Sequence, residues 1–141
     1  MREFFDTSVL INAFLETQHH HESSFQRFAA AESRHSACGV HTLAEIYNGL
    51  TKLPRRPMVL SEQVLLFLEE VRSRVTPIVL DAEEYFATIR QVAGRGLTGG
   101  RIYDALLLAC AEKSDAQVIY TWNLKHFQAI APHLADRIQT P

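Results

Sequence analysis

The sequence predicts an α/β fold in which helices flank a central parallel β-sheet. Short apolar segments alternate along the chain with longer segments whose apolar residues recur at helical spacing, and this alternation is typical of parallel sheets. The apolar segment that ends at Asp6 is followed by two hydroxyl residues and a helical pattern. This order places a carboxylate at the carboxyl end of a strand, where open α/β sheets build their sites. The length of 141 residues suits one domain, expected to span residues 1–141.

The first half of the chain is predicted to form two strands and three helices. Strands are predicted where apolar residues run together, and helices where they recur every three or four residues. Thr7 and Ser8 are candidate N-caps of the first helix, and Thr42 with Glu45 has capping-box spacing in the third. The predicted elements are a strand at 4–6, helices at 9–15 and 22–32, a strand at 36–40 and a helix at 42–50.

The second half follows a break at 53–57 that contains two prolines. The helix predicted at 102–113 is apolar nearly all round, so we expect it to be buried. A glycine-rich loop at 94–100 precedes it. The other predicted elements are helices at 61–71, 82–93 and 124–130, strands at 76–81 and 117–121, and an edge strand at Ile138.

Composition excludes some classes of protein. The net charge of −2 argues against a simple basic module for nucleic-acid binding, although an enzyme whose own acids bind metal stays compatible with it. Cys38 and Cys110 lie far apart in apolar contexts, which predicts reduced core residues and a cytoplasmic protein. No apolar stretch has membrane-spanning length and no secretion signal is recognisable, so we expect no membrane association.

Three polar residues are candidate site residues beside Asp6. Asp104 lies on an apolar helix face, where burying a carboxylate is costly unless a cation pairs with it; alternatively it is a first-turn acid that the helix dipole favours. Glu45 points away from the core side of its helix, towards either a polar surface or a cleft. Asn123 follows a predicted strand, either as a second strand-end site or as the N-cap of the next helix.

These oxygen-bearing side chains, if they converge, suit a hard cation such as Mg²⁺ or Mn²⁺. Carboxylates that hold such an ion together with water suit metal-assisted hydrolysis of a phosphodiester. No Cys and His residues have the spacing of a zinc site, and the three histidines at 19–21 are interpreted as a solvated run.

Four segments, taken in order, resemble the PIN-domain ribonucleases and, within them, the VapC toxins of VapBC toxin–antitoxin pairs. The resemblance covers essentially the whole chain. The segments are Asp6-Thr7-Ser8-Val9-Leu10-Ile11, Ala44-Glu45-Ile46 with Gly49-Leu50, Tyr103-Asp104-Ala105-Leu106-Leu107 with Ala109 and Ala111, and Thr121-Trp122-Asn123 with Phe127.

The resemblance implies a PIN-like fold with an acidic pocket at one sheet edge, and Mg²⁺- or Mn²⁺-dependent endonucleolytic cleavage of RNA by metal-activated water. It matches three catalytic and metal-binding acids and two supporting hydroxyls, which are Asp6, Glu45, Asp104, Ser8 and Thr121. Asn123 stands at a fourth metal-binding position that is often Asp in the family. Because Asn keeps an acceptor oxygen without the charge, both one and two bound metal ions stay open.

An acidic pocket needs nearby cations to attract RNA. The candidates lie beside the site segments and are Arg101, Arg95 and Lys125. Trp122 is a further candidate because its ring can stack on a base. The alternatives are solvated surface charges for the three basic residues and core packing for the tryptophan.

The resemblance also implies an RNA substrate, a cognate VapB-like antitoxin that blocks the pocket, and a homodimer. The apolar residues of the helix at 61–71 exceed what one packed face needs. An excess of this kind indicates either an interface or a well-buried core helix.

Three other functions compete with the ribonuclease. A degenerate, non-catalytic PIN-like protein that binds RNA or a partner is the alternative that Asn123 supports. A Mg²⁺-dependent phosphohydrolase of small phosphate esters would need a second acid close to Asp6, but the next acid along the chain is Glu16. A phosphate-binding module would place a glycine-rich loop after the first strand, where this chain has Asp6-Thr7-Ser8.

Overall fold

The computed structural model describes residues 1–141 and contains one parallel sheet of five strands. The strands are β1 (Glu3–Phe5), β2 (Ser36–Gly39), β3 (Thr76–Ile78), β4 (Val118–Tyr120) and β5 (Ile138–Gln139). Their order is β3-β2-β1-β4-β5, so β1 is central, with β2 and β4 as its neighbours. The predicted parallel α/β fold is confirmed, including the edge strand at Ile138.

Seven α-helices and one 3₁₀ segment connect the strands. The helices are α1 (Thr7–Phe14), α2 (His21–Ala29), α3 (Val40–Thr51), α4 (Ser61–Arg74), α5 (Ala82–Gly94), α6 (Arg101–Lys113) and α7 (Leu124–Ile130), and the 3₁₀ segment is Pro132–Arg137. Each predicted helix is present, and α6 is buried along most of its length, as its apolar pattern predicts. No helix combines the length and the apolar character that crossing a membrane requires.

The capping predictions were wrong at two helices. Asp6 rather than Thr7 or Ser8 holds the N-cap position of α1, because that helix begins at Thr7. Helix α3 begins at Val40, so Thr42 lies inside it and forms no capping box with Glu45. The local sequence pattern did not reveal where these two helices begin, because helix boundaries are uncertain by one or two residues.

The strand predicted at 76–81 does not end in an acid, because β3 stops at Ile78. Asp81 is instead the N-cap of α5. Its carboxylate accepts a bond of 2.8 Å from the backbone N–H of Glu84, and its own N–H donates to Glu84 at 2.9 Å. This capping box satisfies two N–H groups that a helix start leaves unpaired, so Asp81 has a structural role at a helix end.

Separate hydrophobic cores cover the two faces of the sheet, because side chains alternate along a strand. Phe5 and Cys38 belong to one core, whereas Phe4 and Ala37 belong to the other. Cys38 and Cys110 are free and buried, as predicted. Burial raises their pKa values to about 12 and about 11, which keeps both thiols protonated at neutral pH.

Gly39 allows a close approach between β2 and the helix that crosses it. A Cβ at this position would lie 2.7 Å from Cδ2 of Leu107 on α6, well inside van der Waals contact. Leu107 is itself buried, so its packed side chain has little room to give. The missing side chain therefore brings α6, which carries Asp104, towards the start of α3, which carries Glu45.

We expect Gly39→Ala to destabilise the protein by about 1 to 3 kcal/mol, because the added methyl group overpacks the core. Urea unfolding measures the loss. Gly94→Ala is the matched control, since a Cβ there meets no atom within 4 Å. Adding Leu107→Ala to Gly39→Ala should cost less than the sum of the two single changes. Strictly additive losses would show that the two residues do not compete for the same space.

Candidate active site

Asp6 lies at the carboxyl end of the central strand. Its backbone N–H donates to Tyr120 of β4 at 2.9 Å, so the sheet itself fixes the residue. The side chain is only 3% exposed. One carboxylate oxygen, Oδ2, accepts hydrogen bonds from the hydroxyls of Ser8 at 2.7 Å and Thr121 at 2.8 Å. The other oxygen, Oδ1, takes part in neither bond.

The two hydroxyls are themselves held by the backbone that follows β4. The N–H of Trp122 donates to Ser8 Oγ at 3.1 Å, and the N–H of Asn123 donates to Thr121 Oγ1 at 2.9 Å. Each hydroxyl therefore accepts a backbone bond and passes its own proton to Asp6. This network orients the carboxylate and ties the end of β1 to the end of β4.

Glu45 is half-buried on α3 and is held from α1. The hydroxyl of Thr7 lies 3.1 Å from Glu45 Oε1 and 3.0 Å from the hydroxyl of the buried Thr42. Because a hydroxyl carries one proton, Thr7 donates to only one of these acceptors at a time. Glu45 thus contacts α1 rather than lying on a fully solvated surface.

Asp104 is half-buried in the first turn of α6. Its pKa is raised to about 6, first by burial and then by the negative charges of Asp6 and Glu45. The charge of His126 opposes this effect. Asp104 is thus a first-turn acid whose pKa is also raised by two other carboxylates.

We call Asp6, Glu45 and Asp104 the acidic cluster. Burial is the main cause that raises the pKa of Asp6, against the hydrogen bonds from Ser8 and Thr121 that lower it. The pKa of Glu45 is raised by burial and by Asp6, and lowered by Thr7 and His41. Carboxylates that raise one another's pKa lack sufficient positive charge nearby, and a cation relieves this repulsion.

Comparison with known proteins identifies the family of this chain. The family model of the PIN domain matches residues 4–131. The chain belongs to the PIN-domain family. The matched range contains all three acids of the cluster and Asn123.

Curated relatives connect this PIN domain with the VapC ribonucleases. Ribonuclease VapC27 of Mycobacterium tuberculosis is 32% identical over 113 residues, covering 80% of this chain and 79% of the relative. Ribonuclease VapC40 of the same species is 30% identical over 114 residues, covering 81% of each chain. Within its family, this PIN domain is therefore of the VapC type.

Solved structures agree on the fold. VapBC2 from Rickettsia felis, crystallised with a DNA fragment from the promoter of its genes, aligns with a TM-score of 0.66 at 22% identity, covering 99% of this chain and 98% of the other. VapC20 of Mycobacterium tuberculosis, described as a toxin that cleaves the sarcin–ricin loop, aligns with a TM-score of 0.70 at 17% identity, covering 90% and 94%. Together with the matches to VapC27 and VapC40, this confirms the predicted resemblance to VapC-type PIN domains.

Asn123 occupies the N-cap position of α7 in this PIN domain. Its exposed side chain makes no capping hydrogen bond, and only its backbone N–H contacts the site, through Thr121. Asn123 thus occupies the N-cap position, as one alternative predicted, but its side chain does not form the capping hydrogen bond. The amide oxygen is available at the same strand end as Asp6.

All three candidate cations are exposed, and one of them, Arg95, is hydrogen-bonded within the protein. Arg101 begins α6 and Lys125 lies in the first turn of α7, both exposed. Arg95 donates from one guanidinium nitrogen to the carbonyl of Ile130 and from the other to Ala129 at 2.9 Å. Arg95 therefore holds the end of α7, and its contact with RNA stays a prediction.

Trp122 packs into the PIN domain rather than presenting a free ring. One face of the indole stacks on His20 with ring centroids 3.6 Å apart, and its N–H donates to the buried Ser24 at 2.9 Å. Trp122 therefore has the packing role that was the alternative to base stacking. His20 and His21 are likewise not a solvated run, since His21 Nδ1 lies 2.9 Å from the Asn12 carbonyl oxygen.

We expect Trp122→Phe to lower stability by about 1 to 3 kcal/mol, because Ser24 loses its partner inside the protein. RNA cleavage should change by only a few-fold, since the backbone bond from residue 122 to Ser8 is kept. Denaturant unfolding and an RNA cleavage assay measure the two effects. Adding Ser24→Ala should restore part of the stability. An unchanged stability together with lost RNA binding would contradict the packing role.

Sequence reasoning missed four residues around the acidic cluster. They are Thr7, Thr42, His41 and His126. Helical spacing offers a signal for His41, which precedes Glu45 by four residues and so shares its helix face. The other contacts join separate elements, and nothing in the local sequence reports them.

Proposed function

We propose that this protein is the Mg²⁺-dependent endoribonuclease toxin of a type II toxin–antitoxin system, acting on cytoplasmic RNA. The observation that carries the proposal is the acidic cluster, in which burial raises the pKa of all three carboxylates and the charges of Asp6 and Glu45 raise the pKa of Asp104 further. Such a cluster is unfavourable without a cation, and this supports a role in binding one. The similarity to VapC27 and VapC40 supports RNA as the substrate.

The donor set fits Mg²⁺ or Mn²⁺ when water completes the coordination. No three His, Cys, Asp or Glu side chains lie close enough together to hold an ion by themselves. Mg²⁺ keeps several water ligands and is usually bound through one or two carboxylates. We assign Asp6 and Asp104 as direct ligands, and Asn123 as a neutral oxygen at a fourth position.

The protein's own residues position the reaction. Ser8 and Thr121 fix Oδ2 of Asp6, which leaves Oδ1 as the oxygen that would hold the ion. Glu45, held by Thr7, orients the attacking water or contacts the ion through water. When bound, the ion supplies an activated water and stabilises the oxygen that leaves the phosphorus. Arg101 and Lys125 are the exposed cations that attract the RNA backbone.

We also propose a VapB-like antitoxin and a second copy of this chain as partners. The relative from Rickettsia felis was crystallised as VapBC2, which supports the antitoxin. Helix α4 supplies an apolar surface for one of these contacts. Its Val64 and Val71 are fully buried, whereas Leu65 and Leu66 are 55% and 67% exposed. The helix is thus both a core helix and a carrier of unpartnered apolar surface.

Cleavage of single-stranded RNA by pure protein tests the proposed function. We expect cleavage with Mg²⁺ or Mn²⁺, none in excess EDTA, and recovery when the ion is restored. Small phosphate esters should not be hydrolysed. Cleavage that survives EDTA would contradict the role of the metal. RNA binding without cleavage under any divalent ion would instead favour a non-catalytic PIN protein.

A further inference from the structure

Two pairs of stacked rings, each including a histidine, lie near the acidic cluster. The His20–Trp122 pair is closely packed, with 3.6 Å between ring centroids. The second pair is His41 and Tyr103, whose rings are nearly parallel, at an interplanar angle of 8° and a centroid distance of 5.7 Å. His41 is exposed and Tyr103 is 50% exposed, so this pair presents aromatic surface to solvent.

The His41–Tyr103 pair joins the two helices that carry acids of the cluster. His41 lies four residues before Glu45 on α3, and its charge lowers the pKa of Glu45, so it faces the cluster. Tyr103 directly precedes Asp104 on α6. The pair therefore forms the α3–α6 side of the site, while His126 of α7 is the charged group that acts on Asp104 from another element.

We propose that the His41–Tyr103 pair is a stacking platform for an unpaired RNA base beside the phosphodiester that is cleaved. This proposal rests on the proposed function and deepens it, because it assigns a substrate-binding role to two further residues. Both residues are exposed and their rings are nearly parallel, so ring surface is left for a base. The base would then lie next to the acidic cluster, with its phosphate directed at Asp104 and Glu45.

Base stacking suits RNA binding at this position because it does not depend on charge. The chain has a net charge of −2, and the acidic cluster repels phosphate until a cation binds. Affinity for a polyanion must then come partly from contacts that do not depend on charge, and base stacking on aromatic rings is such a contact.

Binding of a fluorescent single-stranded RNA of about ten nucleotides, a length typical of such sites, tests the platform. Anisotropy is measured in EDTA, where no divalent ion supports cleavage. We expect Tyr103→Leu to weaken binding by about 5- to 100-fold, and Tyr103→Phe, which keeps the ring, to stay within about three-fold of wild type. Phe86→Leu is the control, since this exposed aromatic lies on α5 and contacts Arg90, and it is not part of the stacked pair.

A scan of abasic positions along the same RNA locates the base. Removing one particular base should weaken binding to wild type and have little further effect on Tyr103→Leu, as in a double-mutant cycle. Should Tyr103→Leu prove poorly folded by circular dichroism, His41→Ala replaces it in the same scan. Abasic positions that weaken wild type and variant equally would overturn the platform.

Three further results would overturn the proposal. The first is wild-type RNA affinity in Tyr103→Leu, and the second is an equal loss in Tyr103→Phe, which would point to the hydroxyl. The third is a change of oligomeric state in Tyr103→Leu, measured by light scattering, with RNA binding restored at higher protein concentration. That result would assign the pair to a protein interface. Failure of the wild type to cleave RNA with Mn²⁺ would reject the proposed function but leave this binding comparison intact.

Discussion

Asp6→Asn is expected to lower RNA cleavage by about 100-fold or more, because a metal ion stabilises the charge of the transition state by several kcal/mol. The substitution removes the negative charge nearest the end of β1 but keeps an oxygen that accepts from Ser8 or Thr121. The fold should therefore persist. Initial rates of cleavage with Mn²⁺ measure the effect, and circular dichroism verifies the fold.

Asp136→Asn is the matched control for this change. Asp136 is an exposed acid in the 3₁₀ segment, so the same chemical substitution there should leave the cleavage rate unaltered. Equal rates for wild type and Asp6→Asn would contradict a metal-binding role for Asp6. Unfolding of Asp6→Asn would instead show that the carboxylate mainly stabilises the junction of β1 and β4.

Asp104→Asn is expected to stabilise the metal-free protein at neutral pH while abolishing cleavage. The pKa of Asp104 is about 6 in the folded protein and has an ordinary value of 3.8, so the folded state binds this proton more tightly. The stability that this bound proton contributes to the folded state is fully present below about pH 4 and is lost as the pH rises through about 6. The amide of the variant does not titrate. The free energy of unfolding of Asp104→Asn should therefore exceed that of wild type by on the order of 1 to 2 kcal/mol at pH 7.5, a figure reduced for solvent screening.

Thermal and urea unfolding in EDTA from pH 4 to pH 8 measure this gain, which should vanish at the acid end. Adding Mg²⁺ at about 100 times its Kd should stabilise wild type by about 2.7 kcal/mol at pH 7.5. The effect should be much smaller at pH 5, where protons compete for Asp104, and in Asp104→Asn. A variant less stable than wild type at pH 7.5 in EDTA would show that Asp104 supports the fold.

The sequence predicted the elements of the fold better than their ends. Periodicity is a local property, so the alternation of strands and helices is visible without a structure. The ends depend on tertiary hydrogen bonds: Asp6 still bonds to Tyr120 of β4, which makes it the N-cap of α1 in place of Thr7 or Ser8. For the same reason β3 stops at Ile78, leaving Asp81 free to cap α5.

The candidate site was predictable in its acids but not in its contacts. Asp6 is marked by its place after a strand, and Asp104 by the apolar face around it, so both are apparent from neighbouring residues. Trp122 and Arg95 had plausible roles in RNA binding, yet the structure engages them with Ser24 and with the end of α7. These partners lie 98 and 34 residues away along the chain, where sequence spacing carries no information.

The sequence by itself determined the order of strands and helices, the acid at the end of β1 and the family resemblance, because each depends on residues that are neighbours along the chain. Only the tertiary structure decided that Asp6, Glu45 and Asp104 act on one another. The central place of β1, the short Gly39 contact and the Thr7 bond to Glu45 bring together segments far apart in sequence. The repulsion of Asp104 by the other two acids, on which the proposed cation site rests, exists only once the chain has folded.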